Sequence, residues 1–225
     1  MNRSLVDVAL RKTPADVAAD LGRALPGEIL RGHVEHHPRI AEALAGGWRH
    51  ILIVRDPRDS VVSLLHWWKR HEAIDTWPFR LFHRLTEDSD RLRFLIEGWD
   101  SDLVPHDWPR DVDFPDVGRR FEAYAGWVRE PACLVVRFED LVEAETAVEA
   151  RKTIARHLRP DLDAEALERV LGRMADSADP GRSKTFRRGT TGAWRGHLGG
   201  SLGERFDQLA GPLAVELGYG PARER

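Results

Sequence analysis

Apolar positions recur along this chain in two alternating rhythms. Short uninterrupted runs, HILIV at residues 50–54 and ACLVV at residues 132–136, have the length and branched side chains of buried strands. Between and around them the apolar residues fall three or four apart, the spacing of a helix with one face on a core. Thr13-Pro14-Ala15-Asp16 supplies a cap, a proline at the first helical position and an acid at the third. That combination predicts a helix to about residue 23. GEILRGHV, residues 27–34, reads as a strand running into a loop, and Pro38 opens a short helix that stops at Gly46-Gly47.

A longer helix follows from Pro57. Its positions Val61, Leu64, Leu65 and Trp68 form an i, i+3, i+4, i+7 stripe facing the core. Further helices are predicted at about 117–129, 146–158, 163–175 and 202–217, with a polar, glycine-rich loop at 179–200. Residues 76–115 are rich in Trp, Pro, Asp and Phe with one helical patch, RLRFLIEGW. They read as an insertion of loops and short helices in a single domain of residues 1–225. Strands alternating with helices imply an α/β fold, a mostly parallel sheet flanked by helices in three layers. Such a sheet binds ligands at the carboxyl ends of its strands.

Composition narrows the class. The 225 residues carry a net charge of -3, which argues against non-specific nucleic-acid binding by bulk electrostatics. The lone cysteine, Cys133, excludes an intramolecular disulfide and a CxxC metal site. No apolar run approaches the roughly 20 residues that span a bilayer, and the opening residues, interrupted by Asp7, are too short in apolar residues to read as a signal peptide. A cytoplasmic protein without a membrane span is the expectation. The eight tryptophans are first read as packing residues. Those of the insertion, with Phe79 and Phe82, could line a groove for an acceptor, but packing or a lid is the preferred reading.

Candidate chemistry begins where HILIV meets the helix. Asp56 can cap it, Pro57 can be its first residue, and Asp59 can be the third-position acid of a capping box. A helix start exposes free N–H groups and a partial positive charge, both suited to an anion. Arg55 adds a forked donor at the strand end. Ser63 lies away from the apolar stripe, so Arg55 and Ser63 could approach one phosphate from two sides. They serve equally well as a solvated arginine and an exposed serine. The loop TFRRGTTGAWRGHLGG, residues 185–200, concentrates glycines, threonines and arginines, including Arg187 and Arg188. Glycines there let backbone N–H groups converge on an anion.

Taken together, these segments resemble the sulfotransferases that use 3′-phosphoadenosine-5′-phosphosulfate. That family's R-[DN]-P-x-D-x-x-x-S pattern is similar to the stretch from Arg55 through Asp56, Pro57 and Asp59 to Ser63. Its R-K-G-x-x-G-x-W pattern resembles the run from Arg187 to Trp194, with Arg188 for the usual lysine. LVVRFEDL, residues 134–141, looks like the family's V-x-Y-E-D-L strand end, and Phe138 takes the place of a tyrosine beside the adenine. Arg31-Gly32-His33 resembles its K-T-H segment.

The resemblance implies a P-loop-NTPase-like sulfotransferase fold and transfer of a sulfuryl group to a hydroxyl or amine. His33 would be the general base, with an ordinary pKa of about 6.5 suited to that role. Arg31 would contact the transferring group in place of a lysine. Arg55, Ser63, Arg187, Arg188 and the Gly189 backbone would hold the 3′-phosphate, with Phe138 by the adenine. The implied cofactor is 3′-phosphoadenosine-5′-phosphosulfate, without metal, and the implied partner is a small-molecule or glycan acceptor.

The family's early strand and glycine-containing loop for the 5′-phosphosulfate have no counterpart here; GRSKT at residues 181–185 follows a polar loop. The expectation is an N-terminally truncated domain, preferred over a paralogue that has lost the loop. Poor or absent transfer and an exposed apolar sheet edge should accompany it. A non-catalytic protein that binds 3′-phosphoadenosine nucleotides, or a partner, through the same pocket stays open as an alternative. A P-loop kinase relative is disfavoured by the missing Walker lysine and acidic metal motif.

HVEHH, residues 33–37, places His33 and His37 at a metal-compatible i, i+4 spacing, yet strand precedes it and Pro38 follows. A deaminase reading has H-x-E in His33 and Glu35 but lacks P-C-x-x-C. No metal site is expected.

Overall fold

The computed structural model describes residues 2–4 (backbone only), 12–71, 76–109, 112–177 and 189–220. Strand β1 (Asn2–Ser4) runs parallel to β2 (Ile29–Arg31), and β3 (His50–Val54) runs parallel to β4 (Cys133–Arg137). Among the described residues no backbone ladder joins the two pairs. The strand residues Ile29 and Ile53 are 66% and 56% exposed, unlike the two-sided burial usual in parallel sheets.

The first helices form for the reasons the pattern predicts. Helix α1 (Pro14–Gly22) starts at Thr13, whose hydroxyl accepts from the Asp16 N–H at 3.2 Å. The Asp16 carboxylate accepts in return from the Thr13 N–H at 3.0 Å, completing a capping box. Helix α2 (Pro38–Ala45) is capped by the His37 ring, which accepts from the Arg39 N–H. Val17, Leu21 and Ile40 from these helices close on Trp127 to make a small core.

The main core lies on α3 (Pro57–Arg70). Val61, Leu65 and Trp68 are buried and Leu64 partly so, while Val62 buries a second side of the helix. Within 76–115 the chain forms α4 (Trp77–Arg84), α5 (Asp88–Glu97) and a 3-10 turn at Gly98–Asp100. Their aromatic residues are structural. Phe79, Phe82 and Trp99 are buried, Trp77 and Trp108 pack partly buried on the same cluster, and Trp68 stacks on Phe79 at 4.0 Å.

Helix α6 (Val117–Ala125) continues as a 3-10 turn, Gly126–Arg129, into β4. A short α7 (Phe138–Val142) then precedes α8 (Ala144–Leu158) and α9 (Ala164–Ser177). The last helix, α10 (Ser201–Glu216), crosses α6 so closely that a Cβ on Gly118 would sit 2.1 Å from the Leu209 carbonyl oxygen. The register pairs Val54 with Arg137. Arg55 and Phe138 therefore leave the sheet side by side at its carboxyl edge.

Candidate functional site

The start of α3 is built from paired polar groups. Asp56 caps the helix, accepting from the Arg58 N–H at 2.9 Å. Its carboxylate also takes the Arg58 guanidinium in a fork, Nε to Oδ1 at 2.8 Å and Nη2 to Oδ2 at 2.7 Å. Arg58 donates further to the Gly220 carbonyl at 2.8 Å and lies 4.0 Å over the Trp194 ring. Both residues are buried. A buried pair is tolerable because every charge here finds hydrogen-bond partners, and removing one partner would strand the other.

Asp59 departs from the expected capping box. The Asp56 N–H that it was expected to accept donates to Glu139 Oε1 at 3.0 Å. Asp59 accepts instead from the N–H groups of Gly192, at 2.6 Å to Oδ2, and Trp194, at 2.9 Å to Oδ1. Its side chain is thus spent on the late glycine-rich segment. Gly192 has φ 73°, a left-handed conformation that favours glycine and turns its N–H toward the helix.

The arginine at the strand end closes the same junction. Arg55 Nη2 donates to the Thr190 carbonyl at 3.2 Å, and its guanidinium lies 4.8 Å over the Phe138 ring. Its Nε is buried and has no partner among the described residues. Arg55, Phe138 and the start of the 189–194 loop are therefore neighbours. Gly189, at φ 61°, directly precedes Thr190.

The remaining sequence candidates are not tied to Arg55 by hydrogen bonds among the described residues. Ser63 is partly buried on α3, and no hydrogen bond joins it to Arg55 or the loop among the described residues. Arg187 and Arg188 lie outside the described residues. Arg31 ends β2, His33 follows it, and both side chains are exposed. No hydrogen bond links His33 to Arg55, Ser63 or Phe138 among the described residues. The segment carrying His33 is nevertheless well held. Trp127 Nε1 donates to the Val34 carbonyl at 2.8 Å, the His36 N–H donates to the Ala123 carbonyl at 2.7 Å, and His36 Nε2 pairs with Glu130 at 2.9 Å.

Sequence reasoning missed the frame behind the site. Glu139 is buried, taking the Asp56 N–H on one oxygen and the Tyr219 hydroxyl on the other at 2.7 Å. Burial, reinforced by this carboxylate, pushes the Tyr219 phenol far above its ordinary value, so it stays a neutral donor. The E-D-L of residues 139–141 was legible as a motif; its partners, 83 and 80 residues distant, were not. Burial pushes the Cys133 thiol up to about 11, which leaves little nucleophilic thiolate at neutral pH. Among the described residues no group of three His, Cys, Asp or Glu side chains could hold a metal ion, and no helix is long and apolar enough to cross a membrane.

No protein-family model and no curated protein sequence matches the chain. A solved structure does: the crystal structure of mouse sulfotransferase SULT7A1 complexed with PAP. The match has a TM-score of 0.59 at 15% identity and covers 85% of this chain and 68% of the mouse chain. The protein has the α/β fold of a sulfotransferase, here a helix-rich form with a small parallel sheet.

Proposed function

We propose that this protein binds 3′-phosphoadenosine nucleotides at the carboxyl edge of β3 and β4 and acts as a sulfotransferase using 3′-phosphoadenosine-5′-phosphosulfate. The observation that carries this reading is the junction itself. The strand-end arginine, the start of α3 and the glycine-rich 189–194 segment meet through Arg55–Thr190 and Asp59. They do so on the fold of a sulfotransferase solved with PAP.

The residues fit such a ligand. The Arg55 guanidinium still has a buried N–H without a partner among the described residues, and it lies over an aromatic ring. A phosphate beside Arg55 would accept charge-assisted hydrogen bonds, and Phe138 offers a flat face to a purine. Ser63, Arg187, Arg188 and the Gly189 backbone complete the proposed 3′-phosphate set. Remote phosphate binding of this kind orients a donor without taking part in bond breaking. The donor supplies the activated sulfuryl group. His33 would take the proton from the acceptor's hydroxyl or amine, and Arg31 would stabilise charge on the transferring group. The acceptor is a small molecule or a glycan, and the setting is cytoplasmic.

The direct test is calorimetric titration with 3′-phosphoadenosine-5′-phosphate and with its 3′-dephosphorylated analogue. Charge-assisted hydrogen bonds contribute about 1.5–3 kcal/mol each, so Arg55 and its partners should give at least a tenfold preference for the 3′-phosphate. Arg55→Ala should reduce that preference. Equal affinity for the two nucleotides would remove the assignment. A partner-binding protein without catalysis would bind the nucleotide and show no turnover with labelled donor across hydroxyl and amine acceptors, and no His33→Ala effect.

A further inference from the structure

Within the segment that resembles a phosphate-binding motif, the last glycine and the tryptophan make no offer to an anion. Their N–H groups are already committed to Asp59, which is 1% exposed. Asp59 has no ion pair among the described residues; two backbone donors and the positive first turn of α3 meet its charge. Trp194 is 7% exposed and lies under Arg58, which is locked to Asp56. The segment therefore divides in two. Thr190, directly after Gly189, holds the Arg55 side of the junction through its carbonyl, and the Gly192 and Trp194 amides are fastened to the helix.

We propose that Asp59 is the positioning residue of this site. By holding the Gly192 and Trp194 amides against the first turn of α3, it sets the arrangement in which Gly189 and Thr190 stand beside Arg55 and Phe138. Its effect on a ligand rests on the nucleotide reading above; the anchoring is a property of the chain alone. A loop that adopts the competent arrangement in only a tenth of molecules lowers apparent affinity about tenfold, with every phosphate-contacting group still present.

The experiment follows hydrogen exchange and nucleotide binding in parallel on the full chain, with Asp59→Asn and Gly192→Ala. The asparagine keeps the size of Asp59 but turns one acceptor into a donor facing an N–H. The alanine loosens the same contact from the loop side, because φ 73° is strained for any residue with a Cβ. In both variants the amides of residues 189–196 should exchange about tenfold faster or more while those of β3 and β4 keep their protection. Affinity for 3′-phosphoadenosine-5′-phosphate should fall about tenfold and the preference over its dephosphorylated analogue should shrink.

Unchanged exchange in 189–196 would overturn the proposal, as would a loosened loop with affinity and preference intact. Loss of the whole fold in both variants would also overturn it, because Asp59 would then hold the domain and not the loop. If the unaltered chain binds neither nucleotide, the functional reading falls. The exchange measurement then decides the anchor alone.

Discussion

The start of α3 and the α8–α9 hairpin are held by opposite means. At the first, buried Asp56, Arg58, Asp59 and Glu139 saturate one another and the backbone, and their partners come from β4's end, the 189–194 loop and Tyr219-Gly220. At the second, α9 packs on α8 through Ala155, Leu167 and Leu171, with Leu162, Val170 and Met174 partly buried around them. The charges there are exposed and local, such as Arg169 with Glu165 one helical turn away at 2.5 Å. Apolar contact is non-directional and tolerates small shifts. Buried hydrogen-bonded charges do not, because each misplaced partner leaves a desolvated group unmet. The junction therefore specifies one geometry, as a binding site needs, whereas the hairpin specifies only that two helices meet.

Arg58→Ala should give the largest effect. It strands the Asp56 carboxylate in a buried position, and global stability should fall by about 3–5 kcal/mol in chemical denaturation. A loss below about 1 kcal/mol would mean that water replaces the guanidinium and that the junction is no more demanding than the hairpin.

Leu171→Ala comes next, at about 2 kcal/mol, the low end for a leucine because its cluster is small and peripheral. The loss should be local. Exchange should accelerate in residues 164–177 and leave β3 and β4 protected. Equal acceleration everywhere would erase the distinction between the regions.

Tyr219→Phe removes one hydroxyl and leaves Glu139 Oε2 without that donor, so about 1–2 kcal/mol should be lost. Its sharper readout is reach. Exchange should rise at the start of α3, which Glu139 links to Tyr219 although the helix lies in the first third of the chain. A change confined to the C-terminal residues would show that the network does not transmit. Glu165→Gln should do least, under about 0.5 kcal/mol, and less still at high salt.

Much of the fold was legible. The capped starts at Thr13 and Asp56-Pro57 were read correctly because capping is settled within four residues. The strands His50–Val54 and Cys133–Arg137 announced themselves as apolar runs. The aromatic-rich stretch yielded short helices, but its burial in the main core followed only from the fold, since aromatic content looks alike in a core and in a groove. Helix α7 was missed: Phe138–Val142 is a single turn that no periodicity window resolves. The proximity of Arg55 to the glycine-rich segment was inferred from motif order; how they are joined was not.

Sequence by itself determined where helices begin, which residues form strands and which segments concentrate arginine and glycine, because those features depend on neighbours within a turn or two. Tertiary structure alone decided what each polar side chain does. Asp59 has the spacing of a capping-box acid, yet its carboxylate serves amides 133 and 135 residues away. Arg58 could pass for a solvated arginine in the sequence, yet it is buried between Asp56, Gly220 and Trp194. The physical reason is that a carboxylate or guanidinium accepts many partners at similar energy near its own backbone. Burial then removes water from the competition, and only the chain's long-range path determines which partner is left.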